Sequence, residues 1–523
     1  MIPVSLAIAL ALGATKEIGP ADNLKTEIAA LNPGDELVLR GGTYDLGASL
    51  YQFTKAGTAS QPITIRAKDG EAPLITRPDA NQNLINFVGV DYVVLKGLHF
   101  RGGSRGLRFQ SASHVTLEGC EVSNTDDVAI AANDSGATYE GFRILRNDIH
   151  DTGGTGEGMY LGCNSGGCSF RNALIEGNHV HHTNGAAVSQ GDGIEIKEGS
   201  FGNVVRDNVI HDTGYPCILT YSTLGGAPNV IERNLLLHCG DHGIQSARDA
   251  IIRNNIILSA ASDGIAMQPH QAGSPANLVV VHNTVIDPDG NSISVRNPIG
   301  SVVVANNALY RQSNKAFLFL GTASFVTFEG NVGSGATDVG TLAPGSLAAD
   351  FVAASFSGAV PNDVFPKAGG ALVGAGVAAH VPGDDFNGTA RSGVADVGAY
   401  AFSAAGNPGW TLAEGFKTVS PVSAPDAGTG GGAGGGAGGG TGGGGMEPDA
   451  GAGGGGGSAV DGGAGGGAGG SGGGGPSGGG AGGGAGPATG GCGCMGAGTA
   501  PLGGLALLVL ALHRGRRRRR VNC

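Results

Sequence analysis

The sequence predicts an all-β solenoid, in which short strands wind into stacked coils, and three observations support this. A short phrase built on Asn and aliphatic residues returns between Leu84 and Val332 at steps of 21 to 31 residues. The apolar runs inside each step are short and are cut by Gly, Asn, Asp and Ser, which is typical of strands. No run supports a long amphipathic helix. Such coils bury their aliphatic residues only by stacking, so the prediction is a parallel β-helix.

The repeated Asn is predicted to be structural. At a bend between strands its amide can bond to the Asn of the next coil and to backbone groups that the turn leaves unpaired. The expected column contains Asn178, Asn208, Asn234, Asn255 and Asn283. The expected core contains Ile194, Ile196, Val204, Val209, Ile231, Leu236, Ile244, Ile252, Ile256, Ile265, Val280 and Val285.

Composition divides the chain into four parts. Residues 1–14 are mostly apolar and end in small residues, which predicts a secretion signal, and residues 15–424 carry the repeats. Residues 425–490 are almost entirely Gly, Ala, Ser and Pro and predict a disordered linker, because they cannot bury enough apolar surface to fold. Residues 491–523 combine a Cys-Gly-Cys motif, an apolar segment of about 18 residues and an arginine block, which predicts a membrane anchor.

Charge separates the C-terminus from the rest of the chain. Removing the six arginines at 514 and 516–520 from the 31 basic residues leaves 25 against 43 acidic residues, a charge of −18. Such an acidic body excludes nucleic acid as a partner. We expect an exported monomer, held at the cell surface or outer membrane by its C-terminal segment.

The order of parts in that segment resembles myxobacterial sorting signals of the MYXO-CTERM type. The resemblance covers about residues 492–520 and implies retention at the cell surface and a sorting protease as a partner. An unprocessed membrane anchor would give nearly the same topology.

Cysteine usage agrees with export. Cys163 and Cys168 flank a tight loop, and Cys217 and Cys239 stand about one coil apart, so either pair could form a disulfide bond. Cys120 occupies a position of the Asn column and is predicted to be a buried stacking residue rather than a nucleophile.

Two terminal regions resemble a known group of proteins. Asn32–Tyr44 and Gln61–Ala67 resemble the entry segment of secreted β-helix proteins, which include polysaccharide lyases of families 6 and 9. Asp385–Arg391 and Asp396–Tyr400 resemble the closing motif of the same group. The resemblance covers most of residues 31–402 and implies a right-handed parallel β-helix with the pectin lyase-like fold.

Four acidic residues are predicted to converge on one outward face. Alternation along one strand sends Glu195 and Lys197 outward, and stacking places Glu157 over Asp192 and brings Asp126 into the same column. Carboxylates about 4.8 Å apart repel each other unless a proton or a hard cation lies between them. The predicted cation is Ca²⁺, which prefers oxygen ligands.

A lyase that acts on acidic polysaccharide needs these groups. It neutralises a uronate carboxylate, often with Ca²⁺, and removes the C5 proton with a base. We expect Lys197 to be the base if burial and neighbouring positive charge lower its pKa. Arg206, His211 and Arg233 are expected to bind sugar carboxylates or to donate a proton. The alternative is that Lys197, beside Glu195 and Glu198, forms a solvated ion pair on a surface strand.

The likeness to family 9 is partial. Asp192 to Lys197 resembles the family phrase whose leading Asp helps to hold Ca²⁺, which implies that role for Asp192. Only Asp212 stands where the family has an acidic cluster, and Gln245 stands where its base lysine is expected. A non-catalytic glycan-binding or adhesive β-helix is therefore the alternative function.

Histidines form a further column in the repeats. His150, His181 and His211 follow their column Asn at the same offset. The column could meet a ligand or a metal ion, or it could be turn chemistry with exposed rings.

Overall fold

The computed structural model describes residues 13–271, 273–286, 288–391 and 395–418. The predicted linker and C-terminal segment, and all but the last two residues of the predicted signal, lie outside the described residues. Within those ranges, no helix is both long enough and apolar enough to cross a membrane.

The described chain forms a parallel β-helix of three sheets. Along most of the chain, each coil contributes one strand to sheet one, then one to sheet two and then one to sheet three. Strands are numbered along the chain. Sheet one contains β1 (Thr15–Ile18), β2 (Glu36–Leu39), β5 (Ile63–Ala67), β8 (Val93–Lys96), β11 (Thr116–Glu118), β15 (Arg143–Leu145), β19 (Leu174–Glu176), β22 (Val204–Arg206), β25 (Asn229–Glu232), β28 (Ala250–Arg253), β31 (Leu278–Val281), β34 (Val302–Ala305) and β36 (Val326–Glu329).

Sheets two and three are joined through one strand of 13 residues, β35 (Ala308–Leu320), which pairs in both. Sheet two also contains β3 (Gly42–Asp45), β6 (Pro73–Arg77), β9 (His99–Gly102), β12 (Glu121–Ser123), β16 (Asp148–His150), β20 (His179–Thr183), β23 (Val209–Thr213), β26 (Leu235–Leu237), β29 (Ile256–Ile257), β32 (Thr284–Ile286), β37 (Val332–Thr337) and β38 (Ala343–Pro344). Sheet three also contains β4 (Gln52–Phe53), β7 (Ile85–Val88), β10 (Leu107–Gln110), β13 (Ile130–Ala132), β17 (Met159–Leu161), β21 (Ile194–Ile196), β24 (Ile218–Thr220), β27 (Ile244–Ser246), β30 (Ile265–Met267) and β33 (Ile293–Arg296).

The remaining elements are short. A separate parallel pair joins β14 (Thr138–Glu140) to β18 (Ser169–Arg171). The helices are α1 (Leu24–Ala30), α2 (Leu347–Asp350) and single 3₁₀ turns at Asn164–Gly166, Ala323–Phe325 and Ala378–His380. The prediction of an all-β solenoid is confirmed.

The core lies inside the coils and follows one register. In sheet one Ile144, Ile175 and Val205 stand directly above one another, and all three are buried. Eleven of the twelve predicted core residues are buried. The prediction for Val204 is wrong: it is half-buried, because alternation turns Val205 inward and leaves its neighbour outside.

The predicted Asn column is confirmed. It runs through Asn147, Asn178, Asn208, Asn234, Asn255, Asn283, Asn307 and Asn331. Asn208 is typical: its Nδ2 donates to Asn234 Oδ1 at 2.9 Å and to the Ile175 carbonyl at 3.0 Å, while its Oδ1 accepts from the Asn178 amide. Cys120 begins the column, since its backbone N–H donates to Asn147 Oδ1.

The residue before each column Asn bends the chain between sheets one and two. It has positive φ, as at Gly177 (66°) and Arg233 (58°). Asn stacking can stabilise this turn even where the residue that bends is not Gly.

The outer face of sheet two carries a second apolar cluster. Val209 and Ile256 are buried not inside the coil but against Phe351, Phe386 and Tyr400 of the closing segment, residues 347–418. Their burial was predicted, but its cause was not.

The closing segment is fixed to the coils by polar contacts. Asp385 accepts backbone N–H groups of Asn387, Thr389 and Ala401, so the motif that contains it is a turn scaffold. Lys417 is buried and donates to Asp207 Oδ1 at 2.8 Å.

The Asn column can be tested at Asn208. Asn208→Ala should lower the free energy of unfolding by about 2–4 kcal/mol, because the buried Ile175 carbonyl and Asn178 amide lose a partner. Urea unfolding measures the change. Asn81→Ala, at an exposed position, is the control, and equal destabilisation by both variants would contradict a special role for the column.

Candidate metal and catalytic site

Three acidic side chains from two successive coils meet beside sheet three. Glu157, Asp192 and Glu195 each offer a carboxylate oxygen, and these oxygens lie within 4.8 Å of one another. Each residue is about 1% exposed. We call these three residues the carboxylate cluster. Glu157 stands over Asp192 because Met159 pairs with Ile194 in register, as the stacking argument predicts.

Close packing at the corner before β21 places the cluster. A Cβ on Gly193 would lie 2.5 Å from the Cys217 carbonyl and 2.6 Å from Ile210 Cγ2. Only glycine fits there, and its lack of a Cβ lets the backbone next to Asp192 pass close to the following coil. Gly158 meets similar limits one coil earlier.

Lys197 lies beside the cluster, enclosed by aromatic rings. Its Nζ forms an ion pair with Glu195 and lies 4.7 Å and 4.8 Å from the ring centroids of Tyr160 and Tyr221. Nζ also donates to the Tyr221 hydroxyl at 3.2 Å, and that hydroxyl donates to Glu195 Oε1 at 2.9 Å. His270 Nε2 lies 3.1 Å from the same hydroxyl. The ion pair of Lys197 with Glu195 is thus present, but the expectation that it is solvated is wrong, because both side chains are buried.

Burial dominates the electrostatics of the carboxylate cluster. It raises the pKa of Asp192 well above its ordinary value, and the charges of Glu195 and Glu157 raise it further. Burial also raises the pKa of Glu195, partly offset by Lys197, and the pKa of Glu157. Asp192 Oδ1 and Glu195 Oε2 are buried and have no hydrogen-bond partner among the described residues. Unpartnered oxygens in a cluster of like charge suit a hard cation.

The lowered pKa that Lys197 would need to act as a base is not found in this state. Burial alone would lower its pKa, but the charge and hydrogen bond of Glu195, together with the contacts of Tyr160, outweigh burial and raise the pKa above its ordinary value. Lys197 is therefore held protonated as the counter-ion of Glu195.

Asp126 does not join the carboxylate cluster, which corrects the predicted column. It is exposed in a turn, and its neighbour Asp127 faces the cluster instead. Thr155 Oγ1 lies 2.8 Å from Asp127 Oδ1 and 2.6 Å from Glu157 Oε2. Counting alternate positions through a turn gives an error of one residue, because a turn does not keep the period of a strand.

Arg206, His211 and Arg233 contact other groups. Arg206 pairs with Glu176 on sheet one at 2.6 Å. Arg233 pairs with Asp207 at 2.8 Å, next to the closing segment. His211 lies on sheet two among other histidines. These residues were expected to act on the same substrate as Lys197, but Arg206 lies on sheet one, His211 on sheet two and Arg233 at the corner between those sheets.

Gln245 follows Glu195 two coils later on sheet three. It is buried, and its Oε1 accepts from Gln268 Nε2 at 3.3 Å. An amide cannot remove a proton, so this position supplies no base.

Tyr160, Tyr221 and His270 belong to the site but were not predicted. Tyr160 occupies the middle of β17 and pairs with Glu195, so alternation alone could have placed it outward. Tyr221 lies beyond the end of β24 and His270 in a turn, where alternation gives no guide.

Both candidate disulfide bonds are present. Cys163 bonds to Cys168, and Cys217 bonds to Cys239. Cys120 is a free, buried thiol.

With these features in place, the described domain is a right-handed β-helix similar to polysaccharide lyases. The family model described as "Pel9A-like, right handed beta helix region" matches residues 11–227, and the model described as "Right handed beta helix region" matches residues 169–332.

Particular relatives share parts of the chain. Pectate lyase PEL9 of Emericella nidulans is 28% identical over 200 residues, which are 36% of this chain and 41% of that protein. The match thus spans less than half of the relative.

Among solved structures, pectate lyase Pel9A is 16% identical and has a TM-score of 0.43, covering 74% of this chain and 97% of its own. An alginate lyase from Paenibacillus sp. str. FPU-7 is 19% identical with a TM-score of 0.38, covering 60% and 99%. The fold itself rests on the strand pairings described above.

Asp192→Asn tests the strain in the carboxylate cluster. A carboxyl whose pKa is raised by folding lowers stability as pH rises from its unfolded pKa through its folded pKa. The calcium-free variant should therefore be more stable than the wild type, by about 1–3 kcal/mol at about pH 8 and by less at about pH 5. Urea unfolding in the presence of a chelator measures this. Asp126→Asn, at an exposed acid, should leave the free energy of unfolding unchanged at either pH. A stability difference between Asp192→Asn and the wild type that did not depend on pH would contradict the prediction.

Proposed function

We propose that this protein is a Ca²⁺-dependent lyase that cleaves uronate-containing polysaccharide by β-elimination. The observation that carries the proposal is the carboxylate cluster, with two buried unpartnered oxygens next to an enclosed lysine. The similarity of residues 11–227 to the Pel9A-like family supports it.

The donors suit calcium. Glu157, Asp192 and Glu195 supply the oxygen ligands that Ca²⁺ prefers, and three carboxylates exceed the single positive charge of Lys197. When bound, Ca²⁺ would neutralise the uronate carboxylate and so make the C5 proton more acidic.

Lys197 is the proposed base. A cation that engages Glu195 would weaken the interaction that contributes most to raising the pKa of Lys197, while burial continues to lower that pKa. Lys197 then takes the C5 proton, the bond between C4 and its glycosidic oxygen breaks, and a double bond forms between C4 and C5. The departing oxygen takes a proton.

Tyr221 is the proposed donor of that proton. Its hydroxyl contacts Lys197, Glu195 and His270. Burial, followed by the charge of Glu195, raises the pKa of Tyr221 well above its ordinary value. The hydroxyl is therefore protonated at neutral pH and can donate its proton to the departing oxygen.

The relative named as a pectate lyase makes polygalacturonate the first polymer to test, with alginate and glycosaminoglycans as comparisons. The assay follows the ultraviolet absorbance of the unsaturated uronate product, with and without Ca²⁺. Absence of product from every polymer would contradict lyase activity.

Two variants separate binding from chemistry. Lys197→Ala should lower kcat by about 10²- to 10⁴-fold and spare substrate binding, because a base acts only in proton transfer. Asp192→Asn should weaken calcium and substrate binding together. Kinetics and calorimetry measure both. Lys96→Ala, at an exposed lysine paired with Glu118, is the control, and an active Lys197→Ala enzyme would exclude Lys197 as the base.

A non-catalytic glycan-binding or adhesive role is the second candidate. Gln245 and the ion pair of Lys197 with Glu195 favour it, because neither supplies a free base. Polymer binding without product in every variant would support this role.

We also propose that the protein works at the cell surface as a monomer, tethered by residues 491–523. Its partner in maturation is a sorting protease. The two disulfide bonds support export, since such bonds persist in oxidising compartments.

Deletion of residues 495–523 should release the protein into the medium, because the apolar segment and its arginines are the predicted anchor. Immunoblots of cells and medium measure this. A truncated protein that stays on the cell would require a different attachment, and deletion of a comparable length within 430–470 serves as the control that retains the anchor.

A further inference from the structure

A second cluster of ligand-type side chains lies on a different sheet from the carboxylate cluster. His179, His181 and His211 project from the outer face of sheet two, on the adjacent strands β20 and β23. One ring nitrogen from each lies within 4.8 Å of the others. We call these three residues the histidine cluster. Their side chains are 13%, 14% and 5% exposed, so the cluster is sheltered but can be reached from solvent.

Two carboxylates orient the rings. Asp148 Oδ1 lies 3.0 Å from Nδ1 of His179, and Asp212 Oδ2 lies 2.8 Å from Nδ1 of His211. A carboxylate accepts a hydrogen bond, so each Nδ1 carries the proton and each Nε2 presents a lone pair.

Those two lone pairs point at each other. His179 Nε2 and His211 Nε2 are 2.8 Å apart. Two acceptors at this distance repel unless a proton or a metal ion lies between them. His181 brings one ring nitrogen within 4.8 Å of these two. Its Nε2 lies 3.1 Å from Asp148 Oδ1 and its Nδ1 lies 2.5 Å from His182 Nδ1, so a bound ion would replace one of these contacts.

We propose that the histidine cluster binds one Zn²⁺ ion through His179, His181 and His211. Imidazole nitrogens suit zinc and are poor ligands for Ca²⁺ or Mg²⁺. Zn–N bonds of about 2.0 Å in tetrahedral geometry separate ligand nitrogens by about 3.3 Å, so the closest pair needs to open by only about 0.5 Å. Asp148 and Asp212 are positioning residues, because a carboxylate on the second nitrogen fixes the tautomer and raises ligand basicity.

The position of the site gives the ion a structural role. It joins β20 to β23, two successive coils of sheet two, and lies under the end of the closing segment. Phe416 packs edge-on against His179, with ring centroids 5.6 Å apart, and the next residue, Lys417, is buried. A bound ion therefore links two coils where the closing segment ends its contact with them.

Zinc binding is tested on the untagged full chain after removal of metal with a chelator. Titration with Zn²⁺ against a colorimetric competitor should give one tight site per chain, and Co²⁺ in its place should give the visible absorbance of a four-coordinate site with three nitrogen ligands. His179→Gln and His211→Gln should each weaken Zn²⁺ binding by at least about tenfold, and Asp148→Asn should weaken it by about tenfold.

Matched controls separate this site from others. His99→Gln changes a histidine of the same sheet that also pairs with a carboxylate, Glu121, and it should leave Zn²⁺ binding unchanged. Asp192→Asn should leave it unchanged as well, because the carboxylate cluster is a separate site. Circular dichroism confirms that each variant folds. Absence of a Zn²⁺ site in the wild type, or unchanged affinity in folded His179→Gln and His211→Gln, would overturn the proposal.

Discussion

Parallel pairing of each coil with the next is the constraint on which the rest of the structure depends. Because paired strands lie about 4.8 Å apart, each residue stands directly over its counterpart one coil away. The stacked Asn column meets this constraint with hydrogen bonds, since an amide both donates and accepts. The core meets it with aliphatic residues that repeat in register. The Asn column and the core together stabilise the corners between sheets one and two, where the residue before each column Asn has positive φ.

The same constraint creates the two unusual polar sites. Stacking brings like groups together, so Glu157 meets Asp192 on one side and His181 meets His211 on another. Like charges or facing lone pairs are costly when buried, and a proton or a cation at each site offsets that cost. In the carboxylate cluster Lys197 supplies part of that charge from within the chain. The histidine cluster has carboxylates around it but no lysine or arginine among the contacts that define it.

The two sites therefore offer different ligand atoms on different sheets. Sheet three presents oxygen ligands beside tyrosines, an arrangement suited to a hard cation and an acidic sugar. Sheet two presents nitrogen ligands next to the closing segment, where Lys417 is buried against Asp207. The carboxylate cluster and the attachment of the closing segment thus lie on different faces of one solenoid.

Much of this could be predicted from the sequence. The Asn repeat and the short apolar runs determined the parallel β-helix, the column and nearly all of the core, because alternation and stacking are local rules. They also placed Glu157, Asp192, Glu195 and Lys197 together. The tertiary structure alone determined the features that alternation and stacking do not predict. Turns break the alternation, which put Asp127 rather than Asp126 beside the cluster. The winding of the coil sent Arg206, His211 and Arg233 to other faces. The contact with Glu195, acting against burial, raises the pKa of Lys197.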